Sequence, residues 1–272
     1  MHYSVPRFAG RLLFSPAYLP VVLLIPAIIL LALLWGLGDR SFPQGEIVLS
    51  HLVPINHIYI AMAVLAVLVL PPAALSLTRF WRNIHISVQA RVGATKPFTS
   101  SLVASAIDIL KHSNQSKCVA NKPGYYTHFG IFYGFGLLSL AALIGAVYHF
   151  SGIESPYPLI GPVKLAGNLG ALLVAAGLVV AVGRRLASAD ATGRSTYFDW
   201  FLLLAVFFTA ATGVATEFTR IFGLATATYT VYLVHLWLVF TIILYGPFYK
   251  GAHLLYRTLA MTYARQIGRE GK

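Results

Sequence analysis

Long runs of apolar residues separated by short polar stretches dominate the chain. Six of them reach the ~20 residues that a membrane-crossing helix needs: about 17–38, 53–78, 127–150, 162–184, 198–219 and 229–253. Pro26, Pro71 and Pro72 fall inside these runs. Membrane helices tolerate them because neighbouring helices re-satisfy the freed backbone groups. The one long connection, the basic stretch 79–126, holds Leu102, Val103, Ala106, Ile107 and Leu110 at helical spacing. It predicts a short amphipathic helix around Phe98–His112, either lying among lipid headgroups or serving as a platform for a cytoplasmic partner. The pattern as a whole predicts an all-α membrane protein, a six-helix transmembrane bundle formed as one domain over 1–272.

Composition agrees. Hydrophobic residues make up 58% and charged residues 10% of the 272, far below the ~25% charged of soluble domains. The first apolar run is too long for a signal-peptide core and lacks a small-residue cleavage pattern, so it is read as retained. Cys118 is the only cysteine, which rules out a disulfide framework, an all-cysteine iron–sulfur site and covalent CxxCH haem attachment.

The net charge of +12 first suggests nucleic acid, but its distribution decides otherwise. With the N-terminus inside, seventeen of the 20 Lys and Arg fall on the inner side and three (Arg40, Lys164 and Arg220) outside. That asymmetry predicts a multi-pass protein of the cell (inner) membrane with both termini cytoplasmic, and no nucleic-acid partner.

Histidine is costly to place in hydrocarbon without a partner. His235 and His253 stand eighteen positions apart in the last run. In one unbroken helix that is five turns and roughly 27 Å, so both rings would point the same way, one near each membrane face. A bis-histidine haem needs a second imidazole at each depth on a facing helix. At the inner face His128 meets that need for His253; at the outer face His149, His57 and His51, in that order, are partners for His235. His149 lies twenty-one residues beyond His128, roughly 31 Å along the helix and about 60° off its face. His2, His85 and His112 fall in polar stretches and read as solvated surface residues. Gly130, Gly134, Gly136, Gly167 and Gly170 offer flat space for a porphyrin or, equally, for close helix packing. Arg79, Arg82, Lys250 and Arg257 at the inner face, and Arg220 at the outer, could pair with haem propionates, and each is also explained by interface anchoring.

Several stretches are familiar. HLWLVFTIILYGPFYKGAH at 235–253 resembles the last helix of the nitrate reductase gamma subunit, a di-haem cytochrome b that oxidises quinol. GEIVLSHLVP at 45–54, RFWRNIH at 79–85, FYGF at 132–135, PYPLIGPVKLAGNLGA at 156–171, TGVATEFTR at 212–220 and HLLYRTLAMTYAR at 253–265 resemble the membrane cytochrome b domain of the quinone-interacting membrane-bound oxidoreductase. That complex is associated with dissimilatory sulfur metabolism. The resemblance implies a nitrate reductase gamma subunit-like cytochrome b with His128 and His253 on the inner haem and His235 on the outer. It implies Lys164 at a quinol pocket, although an interfacial lysine explains that position as well. Where the gamma subunit has its second outer ligand, this chain has Leu137–Leu140, which leaves a displaced ligand or a single haem. In the quinone-interacting oxidoreductase the cytochrome b domain normally follows a cysteine-rich ferredoxin-like domain. That domain is not in this sequence, so either the iron–sulfur module is on another polypeptide or the chain belongs to a related complex with a different cytoplasmic partner.

The expected function is therefore a membrane-anchoring di-haem cytochrome b subunit in sulfur-compound energy metabolism, with two b-type haems or one. It passes electrons between menaquinone or another quinone and cytoplasmic iron–sulfur and flavoprotein partners. The alternatives are a haem-free anchor for a peripheral enzyme and a transporter with a histidine proton relay. Only eight carboxylates exist, few of them inside the apolar runs, which disfavours the transporter.

Overall fold

The computed structural model describes residues 13, 15–37, 42–43, 45–89, 96–111, 122–187, 196–248 and 252–269. Among these, nine α-helices follow one another: α1 (Leu19–Leu37), α2 (Leu49–Leu52), α3 (Ile55–Gln89), α4 (Phe98–Leu110), α5 (Lys122–Phe150), α6 (Pro162–Ala187), α7 (Tyr197–Ile221), α8 (Ala225–Tyr245) and α9 (Ala252–Gln266). The described residues form no strand. Six helical stretches are long and apolar enough to cross a membrane: one each in α1, α3, α5, α6 and α7, and one starting at Ala225. The all-α membrane class read from the sequence is observed. Helices suit that medium because every backbone group is satisfied within the segment.

Two boundaries differ from the sequence reading. The second run does not end near residue 78; α3 continues to Gln89, so the start of the expected loop is helical. The last run is not one helix to residue 253. α8 stops at Tyr245, Gly246–Phe248 form a 3₁₀ turn, and His253 is the second residue of α9. Pro247 lacks an N–H and disfavours helical backbone in Gly246, which explains the stop. The five-turn count joining His235 to His253 does not hold, because the two lie on different helices.

The chain groups into two compact units: residues 1–19, 65–122 and 243–272 in one, 20–64 and 123–242 in the other.

In the second unit, α5 and α6 meet backbone to backbone. A Cβ on Gly134 would stand 2.7 Å from the Gly170 carbonyl oxygen and 2.7 Å from the Val174 amide nitrogen. Gly130 and Gly177 are as tightly placed, at 2.9 Å from the Leu173 and Thr127 carbonyl oxygens respectively. Glycine permits this approach, which substitutes for a hydrophobic driving force that lipid cannot supply. Of the glycines expected to offer porphyrin space, Gly130, Gly134 and Gly170 are used in helix contact, whereas among the described residues a Cβ on Gly136 would meet nothing within 4 Å and one on Gly167 only the Ala141 methyl at 3.9 Å. Around this seam Val174, Leu178, Ala181, Leu203 and Ala210 form a buried cluster between α6 and α7. The Trp237 indole on α8 donates to the Leu23 carbonyl on α1 at 2.9 Å.

In the first unit, α4 lies against α9 with its polar side inward. Ser101 and Ser105 are buried, while Val103, Ile107 and Leu110 are 58%, 42% and 54% exposed. The Lys96 amide donates to the Gln266 carbonyl at 3.3 Å, and Arg265 pairs with Asp108. The amphipathic helix expected over 98–112 is present, but it turns its apolar stripe away from its protein neighbour. His85, expected to be solvated, packs its ring against Trp81 and Tyr263 at centroid distances of 4.5 and 4.7 Å. Its Nδ1 donates to the Trp81 carbonyl at 3.1 Å.

Candidate functional site

The densest polar grouping inside the apolar helices is built on α7. Thr209, Thr212, Gly213, Thr216 and Glu217 recur three and four residues apart and so share one face. The threonine hydroxyls donate back to their own helix: Thr209 to Ala205 at 2.7 Å, Thr212 to Phe208 at 2.6 Å and Thr216 to Thr212 at 2.7 Å. Each hydroxyl is thereby satisfied without help from another helix.

His235 on α8 meets this face. Its Nδ1 lies 3.0 Å from the Thr209 carbonyl oxygen and 3.2 Å from Thr212 Oγ1. A carbonyl only accepts, so Nδ1 carries the proton and Nε2 carries the lone pair. The ring sits flat on Gly213, where a Cβ would come within 3.0 Å of Cε1. An imidazole whose Nδ1–H is fixed by a backbone carbonyl while Nε2 stays basic is the usual arrangement of a metal-binding histidine.

One turn past Gly213, Glu217 holds the second feature. Lys164 near the start of α6 donates to Glu217 Oε2 at 2.5 Å, with side chains 22% and 13% exposed. Glu217 Oε1 is buried and has no hydrogen-bond partner among the described residues.

The other predicted residues fall as follows. His149, at the end of α5, turns Nε2 to Asn56 Oδ1 at 2.8 Å and lays its ring 5.4 Å from that of Tyr59. His57 on α3 has a buried Nδ1 without a hydrogen-bond partner among the described residues. His51 is exposed on α2. His128, on α5 in the second unit, is half-buried with its ring stacked on Phe132. His253 is exposed on α9 in the first unit. Arg220 is half-buried in the last turn of α7, and Arg79, Arg82 and Arg257 are exposed. Lys250, Arg40, His2, His112 and Cys118 lie outside the described residues. Among the described residues no three His, Cys, Asp or Glu side chains converge.

Sequence reasoning singled out His235 and Lys164 but missed Gly213 and Glu217. The available signal was their four-residue spacing on a helix that also carries three threonines at the same period.

No curated protein and no solved structure matches this chain. The family model that matches is neither that of the nitrate reductase gamma subunit nor that of the quinone-interacting oxidoreductase; it is the one described as citrate utilization protein B, and it spans residues 13–271. Covering nearly the whole length, this match shows that the chain belongs to the citrate utilization protein B family.

Proposed function

We propose that this chain is a haem-carrying membrane protein that moves electrons between the quinone pool and a soluble iron–sulfur or flavin oxidoreductase. The observation that carries the reading is His235, whose Nδ1–H is fixed by the Thr209 carbonyl at 3.0 Å. The ring is thus oriented, holds its proton on Nδ1 and keeps the lone pair on Nε2 inside an apolar helix pair, which fits an axial ligand to haem iron. His128 and His253 are each proposed as a haem ligand, and the partner of His235 would come from His149, His57 or His51. A bound haem would supply one-electron redox chemistry, with the axial imidazoles and burial setting its potential.

The rest of the chain supplies placement. The basic bias of the 79–126 stretch and the C-terminal segment supports a cytoplasmic face that attracts an acidic partner surface. The family's name ties it to citrate utilization, so the soluble partner is proposed to act there. A sulfur-metabolism setting follows from the likeness to the quinone-interacting oxidoreductase, which the family match does not carry.

The test is reduced-minus-oxidised spectroscopy with haem quantification on the purified chain. Two b-type haems per chain are expected. Replacing His235 by Ala should remove one and replacing His253 by Ala the other. A colourless wild-type protein would leave a haem-free anchor as the reading.

A further inference from the structure

We infer that Glu217 is the catalytic proton acceptor for a quinol bound at Lys164, an inference that rests on the redox reading above. A carboxylate within an apolar helix is expensive, and such groups mark function by default. Glu217 has one oxygen neutralised by Lys164 at 2.5 Å, while the other, Oε1, is buried and unpartnered among the described residues. A buried acceptor without a donor costs about 1–3 kcal/mol, so this oxygen is poised for a donor that the protein does not itself provide. A quinol hydroxyl is such a donor, and the Lys164 ammonium suits the neighbouring oxygen of the same head group.

The position supports the role. Glu217 is four residues, roughly 6 Å, along α7 from Gly213. Gly213 is the residue in contact with the His235 ring. Proton acceptor and proposed haem ligand therefore share one helix face a single turn apart.

The chemistry balances. Oxidising a quinol to a quinone breaks two O–H bonds and releases two electrons and two protons. A bound haem would accept the electrons singly, two ferric equivalents per quinol. The proton of the hydroxyl at Glu217 goes to Oε1, which returns it to water at that end of α7; the second hydroxyl, across the ring, releases its proton to water directly. Quinone reduction runs the same steps backwards.

The experiment uses the full haem-loaded chain in lipid nanodiscs, with menadiol as reductant and haem absorbance as the readout. Glu217→Gln should reduce haem at least ~100-fold more slowly, the low end for a positioned acid–base group. Haem content and menadione affinity should stay within about threefold of wild type. Infrared difference spectra between menadione- and menadiol-bound protein should show a protonated-carboxyl band in wild type that Glu217→Gln lacks. To guard against a variant that fails only because Lys164 is left uncompensated, Glu217→Gln is also combined with Lys164→Gln; the neutral pair should be equally slow. Rates within about threefold of wild type in either variant, or no such infrared band, overturn the inference and leave the haem reading standing. A wild-type chain without haem overturns both.

Discussion

Gly213 and His235 are in direct contact: a Cβ on Gly213 would stand 3.0 Å from His235 Cε1 and 3.4 Å from Nδ1. The ring cannot slide away freely, because Nδ1 is held at 3.0 Å by the Thr209 carbonyl. Gly213→Ala adds roughly 1 kcal/mol of helix propensity, against an overpacking cost of about 1–3 kcal/mol. A small net loss is expected. Gly213→Val adds two more carbons and lacks alanine's propensity, so it should lose clearly more. Thermal unfolding in detergent checks the order wild type, Ala, Val; a valine variant as stable as wild type would show that the ring is not pinned.

The α5–α6 seam makes a sharper contrast. At Gly134 a Cβ would meet two backbone atoms of α6 at 2.7 Å, and backbone cannot rotate aside. Gly134→Ala should therefore cost several kcal/mol, beyond the ~1–3 typical of overpacked side chains, and lower the yield of folded protein. Gly136, two residues on with nothing within 4 Å, should accept alanine at no cost. Equal effects at the two positions would contradict the seam.

How far the sequence reveals this depends on the distance over which each signal acts. The six spans were legible because apolar length is a local property, although α3 runs on to Gln89 and α8 stops at Tyr245. The break at Gly246–Phe248 was written in Pro247 but outweighed by the apolar run around it, and with it fell the phase relation between His235 and His253. The polarity of α4 was legible as periodicity, yet its orientation was not. Which side faces protein depends on α9, about 150 residues away in sequence. Lys164 was visible as a charge in an apolar setting. Its partner Glu217, fifty-three residues on, became significant only once the two helices met.

The inward serines of α4 give a prediction that runs against intuition. Ser105 is fully buried, and its hydroxyl has no hydrogen-bond partner among the described residues. Removing an unsatisfied buried group relieves about 1–3 kcal/mol of desolvation, so Ser105→Ala should hold or raise the melting temperature. Ser105→Leu, which keeps the position apolar but adds bulk against α9, should lower it. A destabilised alanine variant would mean that the hydroxyl has a partner.

The Lys164–Glu217 pair should also report on stability. Breaking a buried ion pair from one side costs about 3–5 kcal/mol when fully desolvated, and less here because the side chains retain 22% and 13% exposure. Lys164→Ala should thus lower the melting temperature and slow haem reduction by a quinol analogue, with haem content intact. Adding Glu217→Gln to it should recover stability but not rate. Recovery of both would make the pair structural alone.

The second ligand of the proposed outer haem can be separated by the same logic. His149 already commits Nε2 to Asn56 at 2.8 Å, whereas His57 has a buried ring nitrogen with no partner among the described residues. A ligand imidazole needs one nitrogen for iron and benefits from a fixed partner for the other. His57 has that capacity unspent, while His149 must first give up Asn56. His57→Ala is therefore expected to remove one haem per chain. His149→Gln, whose amide can still donate to Asn56 Oδ1, should keep the full complement. Haem quantification on the two variants decides between them: loss in the glutamine variant with full retention in the alanine variant would return the assignment to His149.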